Sequence, residues 1–239
     1  MLRNVNDLNI KIFADGADLA TMINMSKKPL IKGLTTNPTL MRKAGINDYK
    51  NFAMEALKEI HNKPISFEVF SDDFNEMIQQ ASEISSWGSN VNVKIPITNS
   101  KGIESLQVIK ELSRRGVILN ITALMTTEQV EKVVSALDGV SEAFISVFAG
   151  RIADTGRDPI PLMEKALHIM KDKPKSELIW ASPRELLNVI QADKIGCHVI
   201  TATSDILAKL DLVGKDLAQY SLETVKMFRN DALASGYSI

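Results

Sequence analysis

Eight short runs rich in β-branched and apolar residues recur along this chain, each followed by a longer stretch of helix-period sequence. That alternation constrains the fold more than any other feature. The runs predict strands at about 10–15, 33–37, 65–69, 91–96, 117–125, 143–150, 177–182 and 198–203. Amphipathic patterns fall between them at 48–61, 73–87, 102–115, 127–137, 159–171 and 184–194, several opened by cap-like residues such as Asp158 before Pro159. Eight strands alternating with helices predict an α/β fold, a (β/α)8 TIM barrel, with an open doubly wound sheet as the alternative. No Pro/Gly/Ser linker, charge block or low-complexity tract divides the chain, so residues 1–239 are expected to form one domain. A last amphipathic stretch, 215–234, exceeds the eight units and is expected to form a C-terminal helix that covers a neighbouring subunit.

Composition narrows the function. A formal net charge of −1 supplies no electrostatic reason to expect nucleic acid or an acidic membrane surface as a partner. Residues 1–7 lack the apolar core of a signal peptide and no run approaches the length of a membrane span, so a cytoplasmic protein is expected. The single cysteine, Cys197, rules out an internal disulfide framework. His61, His168 and His198 show no metal-ligand spacing and read as surface or packing residues.

One residue breaks the apolar pattern. Lys94 stands inside Val91-Asn92-Val93-Lys94-Ile95-Pro96, where burying an ammonium costs several kcal/mol, roughly, unless it is paired or loses its proton. A desolvated, neutral lysine amine can attack a carbonyl to form a Schiff base, which makes Lys94 the candidate nucleophile. Taken alone, it reads as a lysine snorkelling from a strand end.

Its neighbours change that reading. In a barrel, functional side chains gather at the C-terminal ends of the strands. Candidate site residues occupy those positions in run after run, all polar but one: Asp15, Thr36-Asn37, Glu68, Lys94, Asn120 with Thr122, Ser146 and the aromatic Phe148 with Arg151 beyond, and Ser182 with Arg184. Singly, Asp15 reads as the N-cap of a helix opening at Gly16-Ala17-Asp18, and Asn37 before Pro38 as a turn-and-cap pair. Arg151 and Arg184 read as solvated loop charges, and Met22, Met25 and Met41 as packing. Glu68 has a poorer excuse, because its carboxylate interrupts a half-buried strand after Ile65-Ser66-Phe67.

These residues lie in segments that resemble the small-subunit transaldolase family of transaldolases and fructose 6-phosphate aldolases. The segments are Phe13-Ala14-Asp15, Gly33-Leu34-Thr35-Thr36-Asn37-Pro38-Thr39-Leu40, Phe67-Glu68-Val69, Val93-Lys94-Ile95-Pro96, Leu119-Asn120-Ile121-Thr122, Phe148-Ala149-Gly150-Arg151-Ile152 and Ala181-Ser182-Pro183-Arg184. The resemblance implies a class I aldol mechanism with no metal and no cofactor. In it Lys94 forms the imine with a ketose phosphate and Asp15 takes the C4 hydroxyl proton. Glu68 with Thr122 and a water shuttles protons during imine formation and hydrolysis. Asn37, Asn120 and Ser146 would hold the three-carbon dihydroxyacetone unit, Arg151, Ser182 and Arg184 the phosphate, and Phe148 the pocket wall. It also implies a homo-oligomer, a pentamer or decamer.

Within the family, transaldolases carry Glu and Phe where fructose 6-phosphate aldolases carry Gln and Tyr. Glu68 and Phe148 therefore favour transfer, with aldol cleavage releasing dihydroxyacetone as the alternative. Gly16, Val147, Pro183 and Ala202-Thr203-Ser204 depart from the family pattern at the substrate end. They leave open a specialised sugar phosphate or another tetrahedral anion such as a sulfonate. From a different class, a sugar-phosphate-binding pseudoenzyme is the reading that intact Lys94, Asp15 and Glu68 argue against.

Overall fold

The computed structural model describes residues 4–137, 139 and 141–237. In chain order its first half comprises β1 (Lys11–Asp15), α1 (Leu19–Ser26), β2 (Ile31–Thr35), α2 (Pro38–Lys43), α3 (Tyr49–Glu59), β3 (Ile65–Glu68), α4 (Phe74–Ser86) and β4 (Val91–Pro96). The second half comprises α5 (Leu106–Arg114), β5 (Leu119–Leu124), α6 (Thr127–Ala136), β6 (Ala143–Val147), α7 (Ala149–Asp154), α8 (Ile160–Ile169), β7 (Ser176–Trp180), α9 (Leu187–Lys194), β8 (Val199–Thr203), α10 (Ser204–Leu207) and α11 (Leu217–Ala234). The strands pair in sequence order, all parallel, and β1 pairs with β8 from Lys11↔Val199 to Asp15↔Thr203. That last ladder closes the sheet, so the fold is a TIM barrel and the open-sheet alternative is excluded.

Alternation along each strand sorts the side chains into two cores. Outward-facing residues such as Ile12, Leu34, Ile65, Phe67, Val93, Ile95 and Ile121 pack under the helices. Inside the barrel, Phe13, Phe144, Ile179 and Val199 form a smaller apolar plug. The Phe13 and Phe144 rings meet at 5.8 Å between centroids. Gly33 makes room for this plug: a Cβ there would lie 2.6 Å from the Phe13 ring.

Several boundaries move from their expected positions, each for a local reason. The second strand runs Ile31–Thr35 rather than 33–37, because Asn37 leaves the sheet to cap α2, its Oδ1 accepting from the Leu40 N–H at 2.9 Å. Asp15 is not the N-cap of the first helix. Asp18 is, accepting from the Thr21 N–H at 2.8 Å, which leaves Asp15 free to face the barrel mouth. The sixth strand stops at Val147, since Ala149 already begins α7, and the seventh stops at Trp180, two residues short of Ser182. The N-cap of α8 is Pro159 rather than Asp158, which stands one residue earlier and whose carboxylate accepts from the Ile160 N–H. Met22 and Met41 are buried and Met25 packs against the core.

The last helix, α11, is capped by Asp216 and buries none of its residues against the barrel. Leu217, Val225 and Phe228 are exposed along it.

Overpacking a closed core costs about 1–3 kcal/mol. Gly33→Ala is therefore expected to lower the unfolding free energy by an amount in that range, read as a lower urea midpoint at unchanged m-value. Gly16→Ala, where an added Cβ meets nothing within 4 Å, serves as the control. Equal midpoints for the two variants would show that Phe13 moves aside at no cost.

Candidate functional site

Strand ends converge at the C-terminal mouth of the barrel around a cavity of about 460 Å³. Asp15, Asn37, Glu68, Lys94, Asn120, Thr122, Ser146, Phe148, Arg151, Ser182 and Arg184 all line it, together with Thr35 and Thr201. The floor is polar and buried. Ser146 Oγ donates to Asn120 Oδ1 at 2.7 Å, and Asn120 Nδ2 donates to Ser66 Oγ at 3.1 Å, so three strands are tied across the barrel by one chain of hydrogen bonds. These three buried side chains are one another's partners, as burial requires.

Lys94 lies above that floor and is only 6% exposed, which excludes the snorkelling reading. Its Nζ donates to the Thr36 carbonyl at 2.7 Å and sits 3.1 Å from Glu68 Oε2. The pair satisfies the condition under which a buried ammonium is tolerable, and it also places a proton acceptor within reach of the amine. Tyr49 on α3 fixes the backbone at Glu68 from both sides: its hydroxyl accepts from the Glu68 N–H at 2.7 Å and donates to the Glu68 carbonyl at 3.0 Å. The Tyr49 ring is wedged among Phe67, Phe70 and Trp87.

The Asp15 carboxyl lies near enough to Lys94 to feel its charge. Thr35 Oγ1 donates to Asp15 Oδ1 at 2.8 Å and lies 2.5 Å from Thr201 Oγ1, while Asn37 Nδ2 reaches Asp15 Oδ2 at 3.4 Å. Burial raises the Asp15 carboxyl above its ordinary value of 3.8, the nearby Glu68 charge adds to that, and Lys94 and the Thr35 hydrogen bond oppose it.

At the rim, Arg184 is not a free loop charge. Its Nε donates to Asp154 Oδ1 at 2.8 Å, a second guanidinium nitrogen bonds Oδ2, and the third donates to Ser182 Oγ at 3.0 Å. Arg151 is exposed and stacks its guanidinium over the Phe148 ring at 5.7 Å. Ser182 holds a left-handed φ of 60°, uncommon for a residue with a side chain. Its carbonyl presses on Gly150, where a Cβ would lie 1.5 Å from that oxygen, so only glycine lets α7 and the turn after β7 meet. A second left-handed residue, Ala123 at φ 67°, follows Thr122 where the β5–β6 register shifts.

The cysteine and the histidines lie outside this cavity. Cys197 is buried beneath the helices, its thiol pushed up to about 12 by desolvation. His198 accepts from the Leu178 N–H at 2.9 Å, and His61 and His168 are exposed.

Residues 12–238 match the family described as transaldolase/fructose-6-phosphate aldolase. The chain belongs to that family. Curated relatives include proteins named probable transaldolase from Dehalococcoides mccartyi, 35% identical over 84% of this chain and 90% of that protein, and from Nitrosopumilus maritimus, 34% identical over 84% and 87%. Among solved structures, an HpcH/Hpal aldolase/citrate lyase family protein from Burkholderia cenocepacia superposes with a TM-score of 0.60 over 91% of this chain and 95% of that one. At 11% identity, that likeness is one of fold alone.

Sequence reasoning missed two residues that line this transaldolase-family cavity, Thr35 and Thr201, and two that bond to its lining residues, Tyr49 and Asp154. Thr35 and Thr201 read as ordinary strand formers, and their meeting across the β1 ends depends on barrel closure. Tyr49 follows a helix cap and has no local signal. Asp154 alone was within reach, lying three residues after Arg151 on one helix, a spacing at which side chains are neighbours.

The raised Asp15 value has a consequence for stability in this family member. Where the folded-state pKa exceeds the unfolded one, the acid's stabilising contribution is whole below the unfolded value and is lost as pH rises through the folded value. Asp15→Asn, uncharged at every pH, is expected to raise Tm at pH 7–8 over the parent, the gap closing toward pH 4. A lower Tm at pH 7 would mean that the ionised carboxylate is net stabilising.

Proposed function

We propose that this cavity is the active site of a transaldolase that carries a dihydroxyacetone unit on Lys94. The donor would be a ketose phosphate such as sedoheptulose 7-phosphate or fructose 6-phosphate, and the acceptor an aldose phosphate. The observation that carries this reading is the burial of the Lys94 amine against the Glu68 carboxylate, with the Asp15 carboxyl within reach of its charge, in a cavity that two arginines also line.

In the proposed sequence the Lys94 amine, its proton passed to Glu68, adds to the ketose carbonyl. Glu68, with Thr122 and a water, returns that proton to the carbinolamine hydroxyl, which departs as water and leaves a protonated imine. That cation is the electron sink: Asp15 takes the C4 hydroxyl proton, the C3–C4 bond breaks and its electron pair moves into the iminium as an enamine. An incoming aldehyde then accepts those electrons while Asp15 returns its proton. A carboxyl whose pKa burial has raised suits that two-way role better than an ordinary aspartate. Asn37, Asn120 and Ser146 would hold the three-carbon unit, and Phe148 would wall it from water. Arg151, Ser182 and Arg184 would hold the phosphate, with Asp154 orienting Arg184.

Glu68 and Phe148 favour transfer over cleavage, as in the transaldolase branch of the family. Val147 and Pro183 border Phe148 and Arg184, so the sugar's distal end is where a specialised phosphate or sulfonate substrate would be selected. The exposed apolar residues of α11 support docking on a second copy of the chain in one domain-per-subunit oligomer, a pentamer or decamer, which sedimentation would show as a species several times the 26.4 kDa chain. A cytoplasmic place in pentose phosphate metabolism accords with these substrates.

Borohydride reduction in the presence of fructose 6-phosphate tests the mechanism. A reduced three-carbon adduct is expected on the peptide containing Lys94 in the parent and on no peptide in Lys94→Met. An adduct that persists in that variant would falsify the assignment. Product analysis with and without glyceraldehyde 3-phosphate separates transfer from release of free dihydroxyacetone.

A further inference from the structure

The barrel has a second opening. At the N-terminal ends of the strands lies a cavity of about 700 Å³, larger than the one at the C-terminal mouth and separated from it by the plug of Phe13 and Phe144. In this fold that end ordinarily serves stability alone, which predicts a filled and satisfied base. This base is neither.

Asn92 is the first sign. It is 2% exposed, it lines the lower cavity, and its Nδ2 has no hydrogen-bond partner. A buried amide donor without an acceptor is costly and rare, so a stability role is a poor account of it. Asn92 precedes Lys94 by two residues on β4, hence shares its inward face, but looks toward the opposite end of the barrel.

Charge is the second sign. Four lysines line the cavity against two carboxylates. Lys11 is paired with Glu177 at 2.5 Å. Lys32 and Lys63 differ: their ammonium groups donate to the carbonyls of Pro29 and Lys28, at 2.8 and 2.9 Å, and neither forms an ion pair with a carboxylate among the described residues. They are close enough that Lys32, after desolvation, is the next cause holding the Lys63 amine below its usual pKa. Two like charges at the edge of a cavity with an apolar aromatic floor call for a dianion.

We propose that this lower cavity is a second ligand site, which accepts a phosphate monoester carrying a flat ring. The phosphate would lie between Lys32 and Lys63. The ring would rest on Phe13 and Phe144, and an acceptor on the ring would take the Asn92 amide. Ligand-sized cavities span roughly 300–1,000 Å³, a range that includes this one. The site does not depend on the chemistry at Lys94.

Phenyl phosphate is a suitable probe, titrated calorimetrically into the intact protein alongside inorganic phosphate. Because a phosphate would also enter the upper cavity, two double variants separate the sites. Binding is expected to survive in Arg151→Met/Arg184→Met and to weaken at least about tenfold in Lys32→Met/Lys63→Met, consistent with the loss of two charge-assisted contacts. The lysine variant should still be trapped by borohydride on Lys94, so failure of the upper-site chemistry would be visible separately. Asn92→Ala is tested with 4-hydroxyphenyl phosphate, whose ring carries an acceptor, and is expected to weaken that probe. No binding by the parent at millimolar phenyl phosphate overturns the proposal. So does binding lost with the arginines but kept without the lysines, or binding of inorganic phosphate as tight as that of phenyl phosphate.

Discussion

Pairing of β1 with β8 is the constraint from which the rest of this molecule follows. An open sheet would have left Asp15 and Thr203 at opposite edges from their partners. Closure brings eight strand ends onto one ring, so that side chains separated by more than a hundred residues face a common centre. Thr35 and Thr201 touch across it, Asn120 links Ser66 to Ser146, and Lys94 reaches back to the carbonyl of Thr36. None of these contacts is local in sequence. All of them depend on the sheet having no edges.

Closure also obliges the chain to fill the inside of the barrel, and the filling is stratified. Aromatic rings occupy one level, fitted over Gly33. Hydroxyl and amide groups occupy the next, where Ser146, Asn120 and Ser66 bond one another across strands. Titratable groups occupy the level nearest the mouth, where Glu68 pairs with the buried Lys94 and Asp15 lies within reach of its charge. This order follows the cost of burial: apolar groups lie deepest, hydrogen-bonded neutral groups above them, and charges only where they pair and where solvent is near. At the other end the order breaks down, since Asn92 and two unneutralised lysines border open space.

Backbone strain is concentrated where the loops must hold the rim. Ser182 and Ala123 both adopt left-handed conformations next to residues that line the mouth. Each such residue costs on the order of 1–3 kcal/mol and persists only where its surroundings over-determine it. At Ser182 the surroundings are visible: Gly150 yields the space, and Asp154 and Arg184 cross-link α7 to the turn after β7. The phosphate end of the cavity is thus held by a loop pair, whereas the Lys94 end is held by the sheet itself. Differences in substrate among relatives of this chain would be expected at the former.

Much of this was legible in the chain because strand period and strand-end position are local properties. Eight alternating runs specified the element count, and a lysine in an apolar run, followed at later strand ends by amide, hydroxyl and guanidinium groups, marked which end of the barrel carries polar chemistry. Local competition explains the errors. Asn37 and Asp18 cap helices where extended sequence suggested strand or an earlier helix start, because a side-chain oxygen that satisfies free N–H groups decides a boundary that apolar periodicity cannot. What the tertiary structure alone decided was partnership: that Lys94 is neutralised by Glu68, that Tyr49 braces Glu68, that Asp154 holds Arg184, and that Asn92 faces a cavity. Those depend on distances between elements far apart in sequence, which are set only once the sheet closes and the helices pack around it.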